Sequence, residues 1–173
     1  MSEKTTKVDE EIKQSSTYRK IDRKMVSWMK ANGLFVLRIS IGIIFLWFGA
    51  LKFFPDLSPA EDLAEATISM ITFGLFSSSQ INTGLAIWEV LIGLGLLFGK
   101  FMRLTLLLLF LQLPGTFLPV FLFPDQVFEI IPFVPTLEGQ YIFKNLVLIG
   151  AGLVMGGFLE KRPTGGLKDQ PTK

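Results

Sequence analysis

The chain of 173 residues contains neither cysteine nor histidine. Without cysteine it can form no disulfide, and it has no thiol for redox chemistry or metal binding. Without histidine it lacks the commonest ligand of zinc, copper and haem iron. No cluster of carboxylates points to a hard cation either. We therefore predict no metal site and no covalently bound cofactor, and nothing in the composition suggests a nucleic-acid partner.

Charged residues are nearly absent from four long stretches, which are residues 33–54, 81–99, 104–123 and 141–159. Each stretch has about the 20 residues needed to cross a hydrocarbon core about 30 Å thick. We therefore predict an all-α integral membrane protein, a four-helix bundle in the lipid bilayer. The predicted spans are about 31–54, 81–99, 102–123 and 140–159.

Lysine and arginine are also absent from the two long connections, residues 55–80 and 124–140, which carry seven acids. Eight of the 17 basic residues precede Gly33, Lys100 and Arg103 flank the link between the second and third spans, and four follow Leu159. Because basic residues stay on the cytoplasmic side, both termini and this link are predicted to be cytoplasmic. The two acidic connections are predicted to lie outside the cell (inner or plasma) membrane.

The segments outside the spans differ in character. Residues 1–30 form a predicted cytoplasmic tail in which 1–16 are expected to be disordered and no signal peptide to be cleaved. Ile21, Met25 and Trp28 follow helical spacing among basic residues, which suggests an amphipathic helix on the cytoplasmic leaflet; a solvated tail with chance periodicity is the alternative. Residues 31–159 form the transmembrane domain, and 160–173 a flexible cytoplasmic tail.

The outer connections also carry local signals. Ser58 and Glu61 have capping-box spacing, which predicts a short interfacial helix in the first connection. Pro132 and Pro135 exclude a regular helix through the second, which is expected to be a partly buried cap over the bundle.

Polar side chains within the spans are the candidate site, because an ionisable group in a bilayer costs about 3 kcal/mol or more and usually marks function. Three cations face one acid in this set, a surplus that suits an electron-rich guest such as a quinone carbonyl, a small oxyanion or a lipid phosphate. Alternatively, the charges only hold the helices together, and Lys52 reaches up to the interface. The predicted ligand-binding cluster consists of Arg38, Lys52, Glu89, Gln112, Lys144 and Asn145. No pattern identifies a catalytic residue.

Small residues mark the helix contacts. Steps of four, three, four and three residues place one set of side chains on one face of the first span: Arg38, Gly42, Phe45, Gly49 and Lys52. Glycine on this face permits close helix approach. Pro114 should kink the third span. The residues predicted to pack helices together are Gly42, Gly49, Gly93, Gly152 and Gly156.

Residues 37–55, LRISIGIIFLWFGALKFFP, resemble the first span of DoxX-like membrane proteins, most closely the YkgB/RclC branch with its Arg-x-Ser and Phe-x-Trp-x-Gly-x-x-Lys-Phe pattern. Residues 84–94, GLAIWEVLIGL, resemble the second span of that family, and 144–151, KNLVLIGA, the fourth. The resemblance covers about 33–157. It implies a four-helix membrane fold and links to quinol oxidase or thiosulfate:quinone oxidoreductase subunits and to oxidant resistance.

Two classes of function follow. The first is a redox-linked or oxidative-stress protein that binds a quinone or a small anionic, oxidant-derived molecule within the bundle, as an accessory subunit if it takes part in catalysis. Its partners would be a redox subunit or further copies of itself. The second is a non-enzymatic protein, either a small-molecule carrier or a membrane assembly or scaffold protein.

Overall fold

Most of the chain is helical in the computed structural model, which describes residues 2–54, 57–58 and 61–159, with side chains from Tyr18 onward. The described elements are seven helices and two short strands. They are α1 (Ser2–Leu51), α2 (Glu61–Ile71), α3 (Ser78–Phe98), α4 (Met102–Phe117), α5 (Pro119–Leu122), α6 (Pro124–Val127), β1 (Phe128–Ile130), β2 (Val134–Pro135) and α7 (Leu137–Gly157). The chain divides into two compact units, residues 1–37 and 38–173.

The first unit is the N-terminal part of α1, where the structure differs from the disorder predicted for residues 1–16. The helix begins at Ser2. Glutamate, lysine and glutamine are common in this segment and favour helix, which explains how a polar stretch continues the apolar helix that follows it. Ile21, Met25, Trp28 and Met29 are exposed. The predicted flexible tail, 160–173, lies outside the described residues.

The four apolar runs predicted to span the membrane are helical, and they lie in α1, α3, α4 and α7. By length and composition, three described helical segments can cross a membrane: Tyr18–Leu51, Ser78–Phe98 and Met102–Leu122. The last joins α4 to α5 and contains Pro114 three residues before α4 ends. Many large apolar side chains on these helices are exposed, such as Trp47 at 66%, as expected where lipid replaces water.

The outer connections hold the elements that the sequence predicted least well. The first contains α2, which confirms that this connection holds a short helix; its interfacial position stays a prediction. The second contains α5, α6 and an antiparallel β1–β2 hairpin that pairs Phe128 with Pro135 and Ile130 with Val134. The fold is mostly helical, as predicted, and this short hairpin is an addition that the sequence analysis did not foresee, formed where the two prolines exclude a helix.

The helices pack in sequence order, with α4 against both α3 and α7, and α2 against α3 and α5. Ile92 and Leu96 of α3 and Leu109 of α4 are fully buried. A second apolar cluster of Leu63, Val127, Phe128 and Ile142 lies under the outer connections, where it fixes α2 and the hairpin to α7. The outer connections are thus packed structures whose polar edges can form a site.

Candidate functional site

Close contact between α1 and α3 sets the position of the first polar group. A Cβ atom on Gly49 would lie 2.8 Å from the Glu89 Cβ, and one on Gly93 would lie 2.6 Å from the Leu46 backbone nitrogen. Glycine is therefore needed at both positions for this helix spacing. Lys52 follows Gly49 by nearly one helical turn, so this contact brings its side chain to Glu89.

Lys52, Glu89 and Gln112 form a connected group that we call the intramembrane cluster. The Lys52 Nζ lies 3.0 Å from the Glu89 Oε2, and these side chains are only 13% and 12% exposed. The Gln112 Nε2 donates a hydrogen bond of 2.8 Å to the other carboxylate oxygen, Oε1. The ammonium of Lys52, which directly follows α1, and the amide of Gln112 on α4 thus offset part of the cost of burying the Glu89 carboxylate.

The side-chain carbonyl of Gln112 has a different environment from its amide. The Gln112 Oε1 is buried and finds no hydrogen-bond partner among the described residues. Because an unmade bond at a buried polar atom costs about 1–3 kcal/mol, it is an acceptor suited to a donor from a guest molecule. The neighbouring helices are tied together here, since the Trp88 Nε1 donates to the Leu108 carbonyl oxygen at 3.1 Å.

A cleft of about 810 Å³, which we call the outer cleft, lies beside the intramembrane cluster. Lys52 belongs to both, because its side chain lines the cleft and its ammonium binds Glu89. The cleft walls are rich in carboxylates, amides and hydroxyls. The polar wall residues are Ser58, Glu61, Asp62, Glu65, Ser78, Ser79, Asn82, Thr83, Gln126 and Glu138.

Asn82 anchors α2 to α3 at the edge of this cleft. Its Nδ2 donates hydrogen bonds to the Oε1 atoms of both Glu61 and Glu65, which lie one turn apart on α2. The Glu61 Oε2 and the Asn82 Oδ1 are buried and have no hydrogen-bond partner among the described residues. The cleft is therefore lined by acidic side chains, and the Asn82 amide fixes the positions of two of them, Glu61 and Glu65.

Arg38 precedes Lys52 by 14 residues in the first predicted span, which corresponds to about 21 Å at the rise of a helix. A side chain on Gly99 would collide with the Arg38 guanidinium. Gly99 ends α3 with a positive φ of 67°, and a cation at a helix C-terminus is stabilised by the helix dipole. The arrangement assigns Arg38 to the end of α3 rather than to the predicted cluster around Glu89.

Lys144 also lies apart from the intramembrane cluster. Its ammonium stands 5.3 Å from the centre of the Tyr141 ring, a cation–π distance. It borders an open pocket of about 460 Å³, which we call the aromatic pocket. The other residues lining this pocket are Phe128, Pro132, Phe133, Pro135, Gln140 and Phe143. Asn145, the next residue on α7, is half-buried.

Of the six predicted site residues, the structure thus brings together Lys52, Glu89 and Gln112. Arg38 and Lys144, which were assigned to the same predicted cluster, instead have their described contacts at Gly99 and Tyr141. The rotation of α1 against α3 determines which cation contacts Glu89. In the sequence, Gly49 was the residue that could have indicated this rotation, because it marks the face of α1 that approaches α3. Sequence reasoning missed the outer cleft, although Glu61 and Glu65 at i and i+4 share one helix face. The binding roles of the six predicted site residues stay predictions.

The predicted glycines lie at helix contacts of differing closeness. Besides the two at the cluster, a Cβ on Gly42 would lie 3.0 Å from the Leu97 side chain and one on Gly152 2.9 Å from the Phe110 Cζ. Gly156 has only an ordinary contact, 3.7 Å from the Leu106 Cδ1. Within the described residues, no group of three or more aspartate, glutamate, histidine or cysteine side chains is placed to hold a metal ion.

Comparison with known proteins gives one match. The family model described as DoxX matches residues 33–122, slightly more than half of the chain, and this range includes Lys52, Glu89 and Gln112. No curated protein and no solved structure matches the chain.

Proposed function

The chain belongs to the DoxX family, and from that premise we propose that it binds the headgroup of a quinone at the intramembrane cluster, as part of a redox-linked or oxidant-protection system. The proposal covers a multi-pass protein of the inner or plasma membrane. The sequence pattern of the first span supports placing the chain near the YkgB/RclC branch of the family. The proposed link to oxidative stress comes from that branch.

The proposed topology has four spans with both termini in the cytoplasm. α7 is 21 residues long, equal in length to α3, and it packs against α4. The basic residues of the 99–103 link and the acids of both connections support the orientation. With this topology, the outer cleft opens to the cell exterior.

The hydrogen-bonding capacity of the cluster carries the quinone proposal. A quinone carbonyl requires a donor, and Lys52 and Gln112 offer N–H groups. A quinol hydroxyl requires an acceptor, and the unpartnered Oε1 of Gln112 and the Glu89 carboxylate offer oxygens. The same three side chains can therefore hold both redox forms of such a headgroup.

A neutral guest suits this site better than a small anion. Glu89 already neutralises Lys52, and Glu61, Asp62, Glu65 and Glu138 line the approach. An anion entering through the cleft would meet four carboxylates and no unpaired cation among the described lining residues. The cationic surplus expected from the sequence is thus spread over separate places rather than collected at Glu89.

The chain itself supplies binding, orientation and a proton acceptor. It has no cysteine or histidine, so the group that exchanges electrons with the quinone would belong to a partner subunit. Oxidation of a quinol releases two electrons and two protons. Glu89 is placed to hold a proton beside the bound headgroup, and the polar walls of the outer cleft connect this position with water outside.

Trp88, adjacent to Glu89, provides a fluorescent probe for the test. In protein with Trp28→Phe and Trp47→Phe, Trp88 is the remaining tryptophan. Titration of the nanodisc-reconstituted protein with decylubiquinone should quench its emission saturably. Gln112→Leu removes one hydrogen bond worth about 1 kcal/mol, so affinity should fall about fivefold.

The control for this titration is Gln140→Leu, which changes an exposed amide on α7. It should bind decylubiquinone like the parent protein. Quenching that rises linearly with quinone in the membrane, and equally in all three proteins, would show partitioning into lipid and would contradict the proposed site.

The outer cleft favours a second candidate function, a non-enzymatic carrier. A cavity of about 810 Å³ that reaches an intramembrane ion pair is the form expected of a solute path. Its carboxylates select for a small organic cation. Proteoliposomes that accumulate such a cation, and lose this uptake on Glu89→Gln without any quinone binding in the parent protein, would favour this function.

A further inference from the structure

The aromatic pocket beside Lys144 differs in chemistry from the outer cleft on the other side of the α7 N-terminus. Glu138 lines the cleft, whereas Gln140 and Lys144 line the pocket. The pocket lining includes one positive charge and no carboxylate. The two cavities therefore select for guests of opposite charge.

Among the residues that the structure describes, the Lys144 ammonium has no anionic partner. No carboxylate of the described residues forms an ion pair with it, and its described contact is the Tyr141 ring at 5.3 Å. An ammonium has three N–H donors, and an aromatic face satisfies them only in part. Lys144 lies about 10 Å along α7 from Leu137, which is near the outer boundary of the membrane in the proposed topology. At that depth an unpaired cation is costly, and an anion from the bilayer reduces the cost.

The walls of the pocket suit an amphiphilic guest that approaches from the lipid. Phe133, from the β-hairpin, is 83% exposed, and the Lys144 side chain is exposed too. Phe143 and Phe128 pack against each other with ring centres 5.8 Å apart and form a firm apolar wall. Gln140 adds a neutral hydrogen-bond donor next to the ammonium. A phosphodiester can accept from Lys144 and Gln140, while glycerol and the upper acyl carbons contact the rings and prolines.

We propose that Lys144 and the aromatic pocket bind the phosphate headgroup of an anionic phospholipid in the outer leaflet. The inference rests on the four-span topology proposed above and is independent of quinone binding at Glu89. The complementary charge of the Lys144 ammonium and the lipid-facing opening of the pocket argue for a lipid rather than a soluble anion.

The test measures which lipid the full-length protein retains. Protein in a mild detergent is incubated with equal amounts of phosphatidylglycerol and phosphatidylcholine, and the bound lipid is quantified by native mass spectrometry. The wild type should retain phosphatidylglycerol about fivefold over phosphatidylcholine, as expected for one basic residue near an anionic lipid. Lys144→Gln should lower the ratio to about one, and Lys144→Arg should keep it. The matched control, Lys100→Gln, alters an exposed lysine in the link between α3 and α4 and should leave the ratio unchanged.

Competition distinguishes the other guests. Inorganic phosphate at millimolar concentration, or decylubiquinone, should not displace the lipid. Displacement by either one would overturn the proposal in favour of a soluble-anion site or a quinone site, respectively. The same ratio in the wild type and Lys144→Gln, with both proteins folded by circular dichroism, would also overturn it. Gln112→Leu should leave the lipid ratio unchanged whatever its effect on quinone, so each proposal can fail without the other.

Discussion

Removing the charge of Glu89 should destabilise the protein, because the Lys52 ammonium and the Gln112 side-chain amide both contact its carboxylate. The Lys52 ammonium, 3.0 Å away, would lose its counter-ion. Removal of one partner of a buried ion pair costs about 3–5 kcal/mol. Lys52 also lines the outer cleft, where water can reach it, so the lower end applies. We expect Glu89→Gln to lower the free energy of unfolding by about 3 kcal/mol.

The double variant Lys52→Gln, Glu89→Gln separates the ion pair from other effects of the substitution. With both charges gone, no charge remains buried, and neutral replacement of a buried pair is often close to neutral in stability. The double variant should therefore recover to within about 1 kcal/mol of the wild type. Glu129→Gln is the control, since Glu129 is exposed and such changes stay within about 0.5 kcal/mol.

Equilibrium unfolding by sodium dodecyl sulfate in mixed micelles, followed by circular dichroism, measures all four proteins. The reasoning is refuted if Glu89→Gln unfolds like Glu129→Gln, or if the double variant is less stable than the single one. Either result would mean that Lys52 and Glu89 are solvated separately.

Three further predictions test other parts of the structure. Gly93→Ala should lower the free energy of unfolding by about 1–3 kcal/mol, because the new Cβ would lie 2.6 Å from the Leu46 backbone nitrogen. The control Gly150→Ala has open space around it and should not destabilise the protein. Equal effects of the two substitutions in thermal melts would contradict the close spacing of α1 and α3. Asn82→Ala should weaken the attachment of α2 to α3, because Glu61 and Glu65 lose their shared hydrogen-bond donor. Amide hydrogen exchange should become faster across residues 61–71, while the exchange rates in α4 stay unchanged. Wild-type protection of α2 in this variant would contradict the role of Asn82 as an anchor. In the natural cysteine-free background, Ser78→Cys should react with an impermeant maleimide on intact cells and Lys100→Cys only after permeabilisation; the reverse pattern would invert the topology.

The membrane helices could be predicted because long uncharged runs have few other stable forms. α3 lies within about three residues of the predicted second span, and α4 with α5 cover the third. The hairpin could not be predicted in the same way. Pro132 and Pro135 exclude a helix at their positions, but they do not determine which structure forms instead.

The candidate site was predicted in composition but not in arrangement. The long apolar runs identified Glu89 and Gln112 as polar residues within predicted spans, yet the partner of Glu89 depends on the rotation of neighbouring helices. The close approach at Gly49 selects Lys52, and α7 carries Lys144 away to the aromatic pocket. The outer cleft depends on the folding of α2 back onto α3 through Asn82, a contact between residues far apart in the chain.

Photo-crosslinking with an azido-quinone, followed by peptide mass spectrometry, tests the central claim most directly. The full-length protein in nanodiscs is irradiated with the probe, with and without excess decylubiquinone as competitor. We predict competitor-sensitive labelling on the parts of α3 and α4 that surround Glu89 and Gln112, and loss of this labelling in Gln112→Leu. Competitor-sensitive labelling confined to the aromatic pocket around Lys144, or labelling that the competitor does not reduce, would contradict it.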